Sequence, residues 1–247
     1  MLLPKNFTWS FSKLTLYSDC PYAFYLTYAL PNKDELVDNA FAQYGTFGHA
    51  LLESFARGQL NASDLAKEWE EHYPDYVTAS FPPFPKGFAL KSYEAGLDYF
   101  RNFKGFGNVE ILEVEDKFKI HIGPYPFTGI ADLVYRDEQG RLTVIDHKSK
   151  SSASMKRELD TYRKQLYIYA EHVYQKFGEY PSILKFNMFK AGGEITEHFS
   201  MEEHHKALQW VEDTIEDIIM EDEFPARPNN YRCQFICSVR EICDSKE

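Results

Sequence analysis

The sequence predicts an α/β protein in which a mixed β-sheet is flanked by helices, with a helical N-terminal segment and a cysteine-bearing C-terminal tail. Two observations support this fold class. Apolar residues at helical spacing dominate the first part of the chain, strand-like patterns follow, and one long helix separates them from a second pair of strands. The even alternation of strands and helices that is typical of a doubly wound nucleotide-binding sheet is absent.

The composition is that of one large globular domain. The chain has 247 residues, of which 44% are hydrophobic and 26% charged, so it can bury a sizeable core without disulfides. No repeat or low-complexity linker interrupts it, and we expect residues 1–247 to form a single domain. No apolar run reaches the length of a membrane span, and residues 1–5 become polar too early for a secretory signal. A cytoplasmic location is therefore expected.

Helices are predicted wherever apolar residues recur at helical spacing. The predicted helical segments are residues 11–30, with Cys20-Pro21 in their middle, 45–57, 64–72, 89–103, 156–177 and 201–220. The proline-rich residues 81–85 cannot continue a helix and are predicted to form a loop. From Pro225 onwards the tail is predicted to be irregular.

Strands are predicted in the middle of the chain and again after the long helix. Residues 109–122 alternate apolar and charged side chains, Glu113 and Glu115 among them, as a half-buried strand would. The other predicted strands are residues 127–135 and 142–146, joined by a polar turn, and residues 183–189 and 195–199, joined at Gly192-Gly193.

Two aspartates and a lysine lie in neighbouring predicted strands. Asp132 and Asp146 each follow apolar residues, and Lys148 shares a strand face with Asp146 because side chains alternate with period two. A turn centred near Gln139 pairs positions 132 and 146, and adjacent carboxylates repel each other unless a cation neutralises them. The pattern favours a Mg²⁺ or Mn²⁺ site with Asp132, Asp146 and Lys148 as catalytic residues. An ordinary hairpin with surface Asp and Lys side chains is the alternative.

Two further pairs of residues are four apart on predicted helices, so each pair shares a helix face. His49 and Glu53 form one pair, and the imidazole is a frequent metal ligand that could complete the carboxylate site. Gln165 and Tyr169 form the other, where an amide and a phenol could hold a phosphate or a base. Ordinary packing of amphipathic helices explains either pair equally well when it is taken alone.

Taken in order, these motifs resemble the RecB-like branch of the PD-(D/E)xK nuclease superfamily, which includes CRISPR-associated and AddB-type exonucleases. The motifs are Gly45 four residues before His49 with Gly48 adjacent to it, Gly-Ile-x-Asp ending at Asp132, Ile-Asp-x-Lys ending at Lys148, and Gln165-x-x-x-Tyr169. The resemblance covers roughly residues 8–243, nearly the whole chain. It implies a restriction-endonuclease-like fold.

The resemblance also implies a role for each site residue. His49, Asp132, Asp146 and the backbone carbonyl of His147 would bind the metal, Lys148 would be the catalytic lysine, and Gln165 and Tyr169 would support substrate binding. The sequence departs from the family at Ser149-Lys150, where Thr-Gly is frequent. That departure affects the local turn more than the chemistry.

The chain contains four cysteines, Cys20, Cys233, Cys237 and Cys243. In a cytoplasmic protein such thiols favour a metal over disulfides, and thiolates suit zinc or an iron–sulfur cluster; four unrelated thiols are the alternative. Several RecB-like nucleases hold a [4Fe-4S] cluster with one cysteine before the nuclease core and three after it. The resemblance therefore implies a cluster that joins residues 8–30 to residues 225–247. The three-residue gap after Cys233 is one longer than usual in the family, which keeps zinc as an alternative.

The charge distribution excludes some classes of protein. A net charge of −11 does not fit a protein that coats DNA nonspecifically, and the lack of a Gly-Lys dipeptide excludes a Walker A phosphate loop. Residues 141–165 nevertheless contain seven basic residues against three acidic ones. This strip supplies local positive potential close to the predicted strands.

The sequence therefore predicts a Mg²⁺- or Mn²⁺-dependent deoxyribonuclease, most simply an exonuclease acting on single-stranded DNA or duplex ends. Two alternatives stay open. One is a non-catalytic, cluster-bearing module for nucleic-acid binding or assembly. The other is a nuclease subunit that works only beside a helicase, a recombinase or a CRISPR adaptation partner, for which the acidic residues 194–223 would suit as a contact surface.

Overall fold

The computed structural model describes residues 3–4, 6–30 and 36–245, so Met1, Leu2 and Lys5 of the opening segment lie outside the described residues. The helices are α1 (Phe11–Asp19), α2 (Pro21–Tyr28), α3 (Ala40–Ala56), α4 (Leu65–Tyr76), α5 (Phe88–Asn102), α6 (Ser152–Phe177), α7 (Met201–Met220) and α8 (Asn230–Phe235). The strands are β1 (Glu110–Ile122), β2 (Tyr125–Arg136), β3 (Leu142–His147), β4 (Ile183–Asn187) and β5 (Glu194–His198). None of the helices in the described ranges is long and apolar enough to span a membrane.

The strands form one mixed sheet in the order β1-β2-β3-β4-β5, with helices around it, as the fold class predicts. Strand β3 pairs antiparallel with β2 and parallel with β4, and β4 pairs antiparallel with β5. The parallel pairing requires a long crossover, which α6 provides. All six residues of β3 are buried, as expected for a central strand. Functional side chains at its end therefore emerge from a rigid element.

The chain divides into two compact units. The first comprises Met1–Asn39, Lys119–Gly129 and Leu208–Glu247, and the second Ala40–Phe118 and Ile130–Ala207. In the first unit, Ala23 and Leu26 of α2 pack against Val239 of the tail.

The second unit has an aromatic core built mainly from α3, α4 and α5. Its fully buried members include Trp69, Phe100 and Phe189, with Tyr44 and Phe47 of α3 packed among them.

Local sequence signals explain where the important helices begin and end. Cys20 adopts an extended conformation between α1 and α2, and Pro21 occupies the first turn of α2, where its missing N–H costs nothing. The side chain of Ser151 accepts a hydrogen bond from Ser154 N and so caps the start of α6. Gly178, in a left-handed conformation that glycine adopts without strain, ends that helix.

The structure corrects three expectations from the sequence. Strand β1 does not alternate throughout, since Glu113 and Val114 are both buried. Glu115, at φ 47°, forms a β-bulge after this pair, and regular alternation begins at Phe118. The tail is not wholly irregular, since Asn229 caps the short helix α8. Helix α4 extends past His72 to Tyr76, with Pro74 in its last turn.

Candidate active site

The predicted carboxylates lie where β2 and β3 end their pairing. Leu133 pairs with Ile145, which is the register that a turn centred near Gln139 predicts. Asp132 and Asp146 directly adjoin this pair, and both are buried. The carboxylate of Asp132 accepts a hydrogen bond of 2.7 Å from the backbone N–H of His147. The hairpin thus holds two acidic groups at one end of a buried strand.

His49 projects from α3 towards the same point. Its Nδ1 lies 3.0 Å from Glu115 Oε1 and 3.6 Å from Asp132 Oδ2, and its Nε2 lies 3.0 Å from the backbone carbonyl of His147. The ring of the fully buried Phe189 meets it edge-on at 5.9 Å. The structure therefore brings His49, Asp132 and the His147 carbonyl together, whereas Glu53 forms an ion pair with Arg57, the residue after α3.

Glu115 lies at the candidate site, although the sequence pattern does not distinguish it. The alternation along β1 predicts an ordinary charged residue of a half-buried strand, but in the structure the β1 bulge directs Glu115 to His49. Ligand atoms of His49, Glu115 and Asp132 all lie within 4.8 Å of one another. A non-glycine residue at positive φ is strained and occurs preferentially at functional sites. The sequence contains no signal for this bulge, because Glu115 belongs to a regular alternation of side chains.

The position of the His147 carbonyl depends on its own side chain. The imidazole is buried, and its Nδ1 lies 2.9 Å from Nδ2 of Asn187 at the end of β4. Asn187 Oδ1 in turn accepts a hydrogen bond of 2.9 Å from the hydroxyl of Tyr99, and Phe106 stacks on the imidazole. Burial lowers the pKa of His147 well below its usual value, and the nearby His49 and Lys148 lower it further. This neutral ring fixes the backbone from the opposite face of β3.

Lys148 lies among three groups that hold its ammonium. Nζ is 2.6 Å from Asp146 Oδ2, an ion pair without hydrogen-bond geometry, and it donates a hydrogen bond of 2.8 Å to Gln165 Oε1. The Gln165 amide donates at 2.6 Å to the hydroxyl of Tyr169. The ring of Tyr162, one turn earlier on α6, lies 4.4 Å from Nζ. Gln165 and Tyr169 therefore do share a helix face, and that face meets Lys148.

The electrostatics of the site show an excess of buried negative charge. Burial raises the pKa of Asp132; His49 opposes this shift, whereas Asp146 and Glu115 reinforce it. Burial disfavours a charged His49, but Asp132 and Glu115 outweigh that effect and raise its pKa to about 9. Bound protons therefore neutralise part of the negative charge of these carboxylates, a role that a bound divalent cation would take over.

The four cysteines all lie in the first compact unit, and each is partly buried and unpaired. Backbone N–H groups of Arg227 and Asn229 lie 3.4 Å from the sulfurs of Cys20 and Cys233. Burial raises the pKa of Cys237, and the other three thiols raise it further through their charge, so all four are within electrostatic range. Among the described residues, however, no three of these sulfurs lie within 4.8 Å of one another.

The chain matches a family model, and several solved structures resemble it. A model of the PD-(D/E)XK nuclease superfamily matches residues 8–244. A structure from Eubacterium rectale, named "Putative exonuclease", has 15% identity and a TM-score of 0.57, covering 97% of this chain and 89% of that chain. The crystal structure of SSO0001 has 23% identity and a TM-score of 0.38, covering 82% and 98%. No curated protein matches the chain. At this identity, the Eubacterium rectale structure shows a shared fold.

Proposed function

Because the chain belongs to the PD-(D/E)XK nuclease superfamily, we propose that it is a metal-dependent deoxyribonuclease acting as an exonuclease on single-stranded DNA or duplex ends. The observation that carries this proposal is the juxtaposition of the acidic group around His49 with the ammonium of Lys148, which Asp146 and Gln165 hold in place. The name of the Eubacterium rectale protein of the same fold supports an exonuclease in particular.

The donor set suits Mg²⁺ or Mn²⁺. Asp132 and Asp146 supply carboxylate oxygens, the backbone of His147 supplies a carbonyl oxygen, and His49 supplies one imidazole nitrogen. Hard divalent cations prefer oxygen ligands, and three of these four groups supply oxygen. When bound, the cation would make a water molecule easier to deprotonate and would neutralise charge on the phosphate. Glu115, which contacts His49 Nδ1, would hold the imidazole in the orientation that leaves Nε2 for the cation.

Lys148 would bind the scissile phosphate. Its ammonium is only partly exposed, and the contacts with Asp146 and Gln165 remove most of its rotational freedom before substrate arrives. A pre-oriented cation stabilises charge that develops on a phosphate oxygen and holds an attacking water in line. Tyr169 contributes indirectly, since its hydroxyl accepts the hydrogen bond that fixes the Gln165 amide.

The proposal includes a [4Fe-4S] cluster bound by Cys20, Cys233, Cys237 and Cys243. A tetrahedral zinc site with Zn–S bonds of about 2.3 Å places its sulfurs about 3.8 Å apart, closer than any three of these thiols lie. A cubane binds each cysteine through a different iron and so accepts wider spacing. The backbone N–H groups at Cys20 and Cys233 would stabilise thiolate charge, as they do around iron–sulfur clusters.

Iron content and absorbance of anaerobically purified protein test the cluster. We expect about four irons per chain and a broad absorbance near 400 nm, both lost in Cys237→Ser. A protein that contains zinc and no iron would contradict this part of the proposal and leave the nuclease proposal intact.

Cleavage of end-labelled single-stranded and duplex DNA tests the nuclease. We expect activity with Mg²⁺ or Mn²⁺, none with EDTA, and a fall of at least a hundredfold in Lys148→Ala with the fold retained. Lys185→Ala is the matched control, because Lys185 of β4 is also a partly buried, ion-paired lysine but lies outside the site. Undiminished cleavage by Lys148→Ala, or equal loss in both variants, would contradict the mechanism.

A further inference from the structure

The loop that joins α4 to α5, residues 77–87, presents an aromatic ring to solvent. Phe84 is 79% exposed, more than nearly all other large apolar residues in the described part of the chain. Pro82, Pro83 and Pro85 surround it and restrict the backbone φ of the loop. An exposed ring on a stiff loop loses little conformational entropy when a flat ligand stacks on it.

This loop is attached to the helix that carries His49. The backbone N–H of Ala79 donates a hydrogen bond of 2.8 Å to Gln43 Oε1, and Gln43 Nε2 donates at 3.2 Å to Thr78 Oγ1. The ring of Phe81 packs edge-on against Phe41 of α3 with centroids 5.2 Å apart. The first half of the loop is therefore attached to α3 by hydrogen bonds and ring packing.

Positive charge without acidic partners surrounds the same loop. The ammonium of Lys190 lies 4.9 Å from the ring centroid of Phe88 and 5.0 Å from that of Tyr44, and Phe189, the residue before it, contacts His49. Lys86, two residues after Phe84, and Lys91, in the first turn of α5, are both exposed. The ion pairs of the described ranges include none of these three lysines, whereas they include six others.

The local charge differs in sign from that of the whole protein. Residues 77–93 contain two lysines and no aspartate or glutamate, in a chain with a net charge of −11. Burial lowers the pKa of Lys190 to about 8, a shift that a bound phosphate would reverse. An unpaired cation and an exposed ring thus favour a ligand that is both anionic and aromatic.

We propose that Phe84, Lys86, Lys91 and Lys190 form a binding surface for single-stranded nucleic acid, in which Phe84 stacks on an unpaired base and the lysines bind phosphates. Every base has a π-face, so stacking on an aromatic side chain tolerates any sequence, and lysines add backbone affinity. Bases within a duplex are already stacked on one another, and the surface therefore selects single strands. The inference rests on the proposed nuclease function, to which it adds the form of the substrate.

Binding of a fluorescein-labelled dT12 oligonucleotide, measured by anisotropy in EDTA with protein carrying Lys148→Ala, tests the surface without cleavage. We expect Phe84→Ala to weaken binding roughly tenfold and Phe84→Trp to restore it, because loss of one stacked base has about that effect. Met220→Ala is the control: Met220 is also 79% exposed and apolar, but it lies at the end of the acidic helix α7. Lys86→Gln should reduce the salt dependence of binding.

Three results would overturn the proposal. They are failure of the parent protein to bind dT12, equal binding by Phe84→Ala and the parent, and an equal loss in Met220→Ala. If Phe84→Ala changed only the oligomeric state in size-exclusion chromatography, the ring would serve a protein contact instead. If binding of dT12 depends on Phe84 but none of the divalent metals tested supports DNA cleavage, the results would support the binding surface and contradict the nuclease function.

Discussion

Replacing Gly48 by alanine should destabilise the protein, because overpacking in the core outweighs the gain in helix propensity. A Cβ at this position would lie less than 3.0 Å from three ring atoms of Phe189. Phe189 is fully buried and stacks with Tyr44, so the ring cannot move aside without disturbing the core. Overpacking of this kind costs up to about 3 kcal/mol, whereas alanine gains about 1 kcal/mol of helix propensity over glycine. The net destabilisation is about 2 kcal/mol, which lowers Tm by about 4–8 °C in a protein of this size.

Gly45 provides the matched comparison on the same helix. Its added Cβ would meet only the hydroxyl of Ser149, at 3.2 Å, and that side chain can rotate away. Gly45→Ala should therefore leave Tm unchanged or raise it by up to about 4 °C. Differential scanning calorimetry measures both variants. A Tm for Gly48→Ala equal to or above that of Gly45→Ala would refute the packing argument.

Two further predictions concern acidic residues on β1. Glu115→Gln should weaken Mn²⁺ binding about 10–100-fold in isothermal titration calorimetry, because the amide no longer polarises His49; an unchanged affinity would show that Glu115 has no part in the site. Burial opposes ionisation of Glu113, but His172 and Lys176 outweigh it and hold its pKa below the usual 4.5, so its stabilisation is complete above pH 4.5 and is lost as the pH falls below that value. Glu113→Gln should thus lower Tm by about 6–12 °C at pH 7, with a smaller difference near pH 3.5; equal differences at both pH values would contradict the linkage.

The sequence was sufficient for the parts of the site that follow from local periodicity. Alternation along β2 and β3, together with one polar turn, predicts the register that places Asp132 beside Asp146, and the structure has that register. Helical spacing likewise predicts that Gln165 and Tyr169 share a face, and they are hydrogen-bonded.

Residues that reach the site through tertiary structure were not predictable in this way. Glu115 reaches His49 because of a single bulged residue, and nothing in its neighbours along the chain marks that bulge. Asn187 and Tyr99 support the His147 carbonyl from elements distant in sequence, and amide and phenol side chains are too common to be recognised singly. The burial of Glu113 was not predictable for a related reason, since the partners of its carboxylate lie on α6.

The order in which the chain supplies its site has a consequence for synthesis in the cell. The groups proposed to bind the cation and the phosphate come from α3, β1, β2, β3 and α6, and the parallel pairing of β3 with β4 closes only after α6 has been made. Contacts between such distant segments form late, because the entropy of loop closure must be overcome before they stabilise anything. A nascent chain that has emerged only as far as β3 carries the acidic side chains without Gln165 to hold Lys148. If the proposed function is correct, an incomplete polypeptide therefore lacks the assembled site for cleavage.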